Sequence, residues 1–288
     1  MDQLLAAGGA PSDVRSVWTQ QLGGRTHHIE AGSGEPVVLL HGGTGGGANW
    51  FRVIGPLASR FRVLAPDLPG FGLSDPIPVT RPLGTAAADR LVDWMAQNDV
   101  TDALMVGTSF GGLAALRIAQ RSSRVTRLLL LDAAGLGRAI HPAVRLATSL
   151  PLTRLLMAPS RRGTAVVLRL LLTTDRSLMS TTQERALIEY LLTTARAAGT
   201  AYLARTLAMF AGAGGQREVL GPDELARLRL PVSIVWGERD RLLPLAGVRQ
   251  AAQALPDARL IVIPGTGHSP NWERPEAVVA AVVDLSSR

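Results

Sequence analysis

The run Gly107-Thr108-Ser109-Phe110-Gly111-Gly112 follows the apolar stretch Ala103–Gly107 and opens the helical pattern Phe110–Arg121. A serine at the joint of a strand and a helix, with glycines two residues to either side, predicts a sharp turn. Glycine at those positions lets the backbone pass without Cβ clashes. The turn lifts the Ser109 hydroxyl clear of the sheet. It also sets that oxygen at a helix N-terminus, where free N–H groups and the helix dipole favour developing negative charge. The plainer reading is a serine in a packed glycine turn or an N-cap. The flanking strand and helix favour the reactive one.

Around this turn, short apolar runs alternate with longer helical patterns. The runs predict strands at Val17–Leu22, Thr26–Glu30, Pro36–Leu40, Arg62–Ala65, Ala103–Gly107, Arg127–Leu131, Val232–Trp236 and Leu260–Ile263. Helical spacing marks Asn49–Ala58, Ala86–Gln97, Phe110–Arg121, Leu245–Ala254 and Pro275–Leu285. Val37-Val38-Leu39-Leu40 and Leu128-Leu129-Leu130-Leu131 are continuous apolar runs, as strands buried on both faces require. The expected class is α/β, with a mostly parallel eight-stranded sheet and helices on both faces. The first three strands lie close together and predict an antiparallel opening.

The alternation stops after Asp132. Helical patterns cover Ala143–Leu150, Leu152–Met157, Thr164–Leu172, Gln183–Ala198 and Ala201–Phe210, with Pro142, Pro151 and Pro159 as breaks. Gly212-Ala213-Gly214-Gly215 reads as a flexible exit. The division is therefore a core of residues 1–137 and 223–288, and a helical cap, residues 138–222, inserted after the sixth strand.

Composition removes several chemistries. The 288 residues include no cysteine, which excludes disulfides, cysteine nucleophiles and Cys-type zinc or iron–sulfur sites. All 30 basic residues are arginine, so a phosphate-loop lysine, a Schiff base and a Ser–Lys dyad are excluded. No cofactor and no metal is expected. Eleven of the arginines fall within 138–222 against Asp175, Glu184, Glu189 and Glu218, which accounts for the whole net charge of +7. A solvated helical face is the plain reading, and attraction to an anionic membrane surface or substrate the sharper one. Aromatics are 4% and no nucleic-acid motif is present, so nucleic acid is not expected as a partner. The first residues carry no basic and apolar leader pattern, and no apolar run approaches a membrane span; the expected location is cytoplasmic. Oligomeric state is not legible.

A serine needs a base to lose its proton near neutral pH. His268 lies in Pro264-Gly265-Thr266-Gly267-His268-Ser269-Pro270, directly after the last strand. A glycine-lined loop there leaves the ring free to face a site. His27 and His28 lie within a strand and read as structural. His141 reads as surface or helix entry. His41 opens the loop His41-Gly42-Gly43-Thr44-Gly45-Gly46-Gly47, which is too glycine-rich to pack as an element. Such a loop serves as a phosphate cradle or as a source of bare N–H groups for an oxyanion, and the missing lysine weighs against the cradle.

These features together resemble the α/β-hydrolase family over nearly the whole chain. The similarity runs to its compact bacterial members: esterases, epoxide and haloalkane hydrolases, and the carbon–carbon hydrolases of aromatic degradation. Serine at the turn argues against the epoxide and haloalkane branches, which use aspartate. The resemblance implies Ser109 as nucleophile, His268 as general base and Asp240, in Trp236-Gly237-Glu238-Arg239-Asp240, as the acid that orients it, in the family order. Glu238 and Asp132 remain competing acids. It implies an oxyanion hole from the Gly43 and Phe110 N–H groups, with Thr44 as a further donor, and His41 as a brace of the loop. Asp67 and Asp75 read as loop-fixing carboxylates. Trp272 resembles a wall tryptophan of the site, with core packing as the alternative.

The cap would cover the site. Leu168–Leu172, Met157, Met179, Met209 and Phe210 offer an apolar inner face, or else pack within the cap. The expected substrate is a small ester with a hydrophobic part. A carbon–carbon hydrolase of meta-cleavage dienones is the alternative, against which Thr44-Gly45-Gly46-Gly47 departs by having no proline. A cofactor-free perhydrolase is a further alternative, and a non-catalytic receptor on the same scaffold is the reading from another class.

Overall fold

The computed structural model describes residues 1–78, 82–149 and 158–288, apart from the side chains of Ser149 and Arg176. The main sheet is built from β1 (Arg15–Gln21), β2 (Gly24–Ala31), β3 (Pro36–Leu40), β4 (Arg62–Pro66), β5 (Ala103–Thr108) and β6 (Val125–Leu131). A small hairpin of β7 (Ala211–Gly212) and β8 (Gly215–Gln216) follows, and β9 (Val232–Gly237) and β10 (Ala258–Ile263) complete the sheet. The eight main strands run in the order β1-β2-β4-β3-β5-β6-β9-β10. All eight expected strands are present.

The antiparallel opening is present in β1 and β2, but the third strand does not join it. β2 pairs antiparallel with β1 and with β4, whereas β3 lies parallel between β4 and β5. Closeness in sequence favours a hairpin, but the all-apolar β3 is worth more buried in the sheet interior than paired beside β2. Side chains alternate across it. Val37 and Leu39 join the core on one face, and Val38 and Leu40 the core on the other. The same split divides Met105 from Leu104 and Val106, and Leu128 and Leu130 from Leu129 and Leu131. Helices Leu83–Gln97 and Phe110–Ala119 cover the face of Val38 and Leu40, and Pro275–Ser286 the face of Val37 and Leu39.

Between β6 and β9 the chain forms helices Pro142–Ser149, Arg161–Val167, Thr181–Ala198 and Thr200–Phe210. The expected helix Leu152–Met157, with Met157 and Arg154, lies outside the described residues. Thr181–Ala198 begins at a capping box: Ser180 Oγ accepts from the Gln183 N–H and the Gln183 side chain accepts from the Ser180 N–H. The stretch read as a flexible exit is the β7–β8 hairpin instead. Its Gln216 is buried, accepting from the Gly135 N–H and donating to the carbonyls of Gly137 and Ala139. One polar side chain thus stitches the end of the insertion to its beginning. Arg117, on helix Phe110–Ala119, adds ion pairs to Glu218 at 2.9 Å and Glu224 at 2.6 Å.

Candidate active site

In the parallel part of the sheet, Leu40 pairs with Gly107, Thr108 with Leu131, Leu131 with Val235 and Ile263 with Gly237. The loops after β3, β5, β6, β9 and β10 therefore leave at one edge. That edge, outside the carboxyl ends of parallel strands, is where open α/β sheets place their sites. The glycine loop, Ser109, Asp132, Asp240 and His268 all stand there.

Ser109 has φ 52° and ψ −121°, a conformation that residues with a Cβ rarely adopt. Such strain costs on the order of 1–3 kcal/mol and persists only where the surroundings impose it. Here the carbonyl of Ser109 accepts from the N–H groups of Gly112 and Ala134, and its own N–H donates to Leu131. The flanking glycines are required by space. A Cβ on Gly111 would stand 2.3 Å from the Leu40 carbonyl oxygen, and one on Gly107 would stand 2.5 Å from that of Gly111.

His268 Nδ1 lies 2.7 Å from Asp240 Oδ2, and both side chains are buried. Asp240 Oδ1 accepts from the N–H groups of Leu242 and Leu243, at 2.8 and 2.9 Å. Three donors thus fix the carboxylate, and the bond to Nδ1 leaves Nε2 as the nitrogen able to take a proton. Among the described residues no hydrogen bond joins Ser109 Oγ to the ring. Glu238, the neighbouring acid, accepts from the Gly265 N–H and so braces the histidine loop rather than the imidazole. Asp132 stands close: one atom each of Asp132, Asp240 and His268 lie within 4.8 Å of one another. Two ligands of one tetrahedral ion, each about 2.0–2.2 Å from it, would stand roughly 3.4 Å apart. The 2.7 Å contact is that of a hydrogen bond instead.

The glycine loop reaches the serine. A Cβ on Gly42 would be 3.3 Å from Ser109 Cβ, and one on Gly43 would be 3.9 Å from Phe110 Cβ. His41 braces the loop as expected. Its Nε2 accepts from the Leu68 N–H at 2.8 Å, so the proton sits on Nδ1, which donates to the Gly42 carbonyl at 2.7 Å. Burial holds its pKa below the usual value, in keeping with a neutral ring. Asp67 fixes loops too, accepting from the N–H groups of Gly47 and Leu73 and pairing with His27. Asp75 pairs with Arg25. His141 Nδ1 accepts from the Ala143 N–H at the helix entry.

Phe210 stands edge-on to Phe110 at 6.3 Å between ring centroids. Phe71 meets Phe110 at 6.4 Å and Tyr202 at 6.1 Å. Met209 is half-buried against the same core. Met179, by contrast, is buried in the core of the other face. Thr44 is exposed, and its carbonyl accepts from the Asn49 side chain. Trp272 is 4% exposed and donates its indole N–H to the Asn49 carbonyl at 2.7 Å. Its place is that of a packed tie between the histidine loop's helix and the glycine loop's, with little surface left for a ligand.

Sequence reasoning missed two residues here. Tyr190, on helix Thr181–Ala198, sends its hydroxyl to the glycine loop, where a Cβ on Gly46 would stand 2.5 Å from it. Glu273 accepts from the N–H groups of Gly267, Thr174 and Asp175, tying the histidine loop to the insertion. Neither carries a local motif. A groove bounded by Arg52, Pro56, Arg60, Glu276 and Asp284 shares none of the site residues and carries charges of both signs.

Residues 37–281 match the model of the alpha/beta hydrolase family. A 2-hydroxy-6-oxo-6-phenylhexa-2,4-dienoate hydrolase of Burkholderia cepacia is 30% identical over 91% of this chain and 91% of its own. The crystal structure of carboxylesterase CesB from Bacillus subtilis superposes with a TM-score of 0.80 at 22% identity, covering 99% of this chain and 95% of that one. A thermophilic esterase from Thermogutta terrifontis superposes with a TM-score of 0.73 at 25% identity, covering 96% and 98%. The chain belongs to the α/β-hydrolase family, and it is a hydrolase. Among the described residues no helix is long and apolar enough to cross a membrane.

Proposed function

We propose that the chain is a serine hydrolase of carboxylic esters with a hydrophobic part, working through Ser109, His268 and Asp240. The observation that carries this is the strained serine at the end of β5, with a carboxylate-bonded imidazole at the same edge of the sheet. His268 Nε2 takes the Ser109 proton as Oγ bonds to the ester carbonyl carbon. The oxygen that becomes negative is received by the N–H groups of Gly43 and Phe110. Each such donor contributes about 3–4 kcal/mol to the barrier reduction in hydrolases of this kind. The C–O bond then breaks and the alcohol leaves with the proton from His268. Water attacks the acyl group, gives a proton to His268, and the acid departs as Ser109 recovers its hydrogen. Asp240 holds the imidazole in the tautomer this needs.

The surroundings of the serine support this substrate class. Ring contacts run from Phe110, the residue after the serine, to Phe210 and through Phe71 to Tyr202, and the half-buried Phe210 and Tyr202 bring apolar surface of the insertion toward the serine turn. Arg138, Arg145, Arg161, Arg162, Arg169, Arg185, Arg196, Arg205 and Arg217 are all exposed, so none of these cap cations lies buried beside these rings. This supports a neutral substrate over an acidic one. The second reading, carbon–carbon hydrolysis of a dienone acid, is favoured by the Burkholderia relative. A panel of p-nitrophenyl esters of graded length beside a dienone acid separates the two: the class with the higher kcat/KM is the substrate class.

Residues 138–222 act in this proposal as the cap, in a cytoplasmic enzyme that touches anionic membrane surfaces. Exposed Val166, Val167 and Leu170 lie on the same helical stretch as exposed Arg161, Arg162 and Arg169, the pairing of apolar and basic groups such contact needs.

A further inference from the structure

The proposed reaction gives no task to Asp132, yet Asp132 is a fully buried carboxyl of the site. Its Oδ1 accepts from the Gly237 N–H at 2.9 Å. Its Oδ2 has no donor among the described residues, and the Asp240 carboxylate stands close by: one atom each of Asp132, Asp240 and His268 lie within 4.8 Å of one another. Two carboxyl groups bond to one another only if one of them holds a proton.

We propose that Asp132 is a positioning residue kept as a neutral acid. Its Oδ2–H donates to Asp240, so the pair carries one negative charge and Asp240 presents it to His268. This rests on the reading of Asp240 as the acid that orients the base.

Three observations locate the proton on Asp132. Asp240 already accepts from the N–H groups of Leu242 and Leu243 and bonds the His268 ring, so its oxygens are engaged as acceptors. Asp132 has a single donor. The charged groups acting on Asp132 from the packed elements are Asp240 and, from the helix after the histidine loop, Glu273; both are acids. Burial first, then Asp240, accordingly hold the Asp132 carboxyl well above the usual range, with only the Gly237 N–H opposing. His268, bonded to Asp240, is able to become a cation. A second anion beside it would favour the imidazolium over the neutral base. A neutral donor avoids this and pins the carboxylate as well. The backbone of Asp132 has φ 42°, a region that asparagine also tolerates. Asparagine there keeps both the acceptor for Gly237 and a donor for Asp240.

Infrared difference spectroscopy of the wild type against Asp132→Asn, at mildly alkaline pH, reads the proton directly. The expected result is the carbonyl stretch of a protonated carboxylic acid in the wild type, absent from the variant. The absence of that band overturns the proposal, whatever substrate the enzyme takes. The pH profile of kcat/KM supplies the second reading. Asp132→Asn should leave the acid limb in place, with kcat/KM within about threefold of wild type. Asp132→Ala, lacking the donor, should move the limb to higher pH and lower kcat at unchanged KM. A fall of the acid limb by about one unit in Asp132→Asn would mark the loss of a negative charge and refute the neutral acid.

Discussion

Asp240 Oδ2 and His268 Nδ1 lie 2.7 Å apart, although 27 residues separate Asp240 from His268 in the chain and each follows a different strand. The pairing exists because β9 and β10 are parallel neighbours whose ends are in register, Gly237 beside Ile263. If this contact selects the tautomer of the base, Asp240→Asn should fold normally and lose about 10³–10⁴-fold in kcat, with KM little changed. Steady-state kinetics with a short p-nitrophenyl ester measures this.

The edge-on contact of Phe210 with Phe110 places a cap side chain next to the residue after the serine. Phe210→Ala removes the half-buried ring of that contact. For a medium-chain ester kcat/KM should fall about tenfold, in line with roughly 1–3 kcal/mol for lost apolar contacts. An acetyl ester, too short to reach the ring, should be hydrolysed nearly as before. The ratio of the two rates is the readout.

The positive φ of Ser109 should be measurable as stability. Glycine relieves the strain and alanine does not. Ser109→Gly should therefore unfold at a higher midpoint than Ser109→Ala, by about 1 kcal/mol, with both variants inactive. Thermal or denaturant melts of the pair test it.

His28 has its pKa lowered to about 4, mainly by burial. It accepts from the Trp94 indole N–H in the core. A histidine whose folded pKa lies below its unfolded value keeps its full stability above the unfolded pKa. Stability is then lost as pH falls from about 6.5 toward 4, because the unfolded chain binds the proton more readily. The loss amounts to at most about 3 kcal/mol. His41, also depressed, adds to it in the same direction. His28→Gln, which retains an acceptor for Trp94, should flatten the pH dependence of the melting midpoint across this window.

The sheet was legible because parallel strands buried on both faces must be apolar without interruption, as Val37–Leu40 and Leu128–Leu131 are. The serine turn was legible because its glycines answer a steric demand that is local. β3's place between β4 and β5 was not, since partner choice depends on total burial rather than on chain proximity. The β7–β8 hairpin hid behind its glycines. What orders it is Gln216, bonded to residues 135–139 across the insertion. The N-terminal helix Asp2–Ala7 escaped notice because one short turn with Leu4 and Leu5 gains its stability only from distant packing, including the Gln183 side chain on the Ala7 carbonyl. Asp132 was seen only as a competing acid, because its partner Asp240 lies beyond the insertion.

A fluorophosphonate probe offers the most direct test of Ser109 as the nucleophile. Mass spectrometry of the labelled protein should locate a single adduct on Ser109, formed in step with the loss of ester hydrolysis and absent from Ser109→Ala. An adduct on another residue, or undiminished turnover by purified Ser109→Ala, would contradict the account.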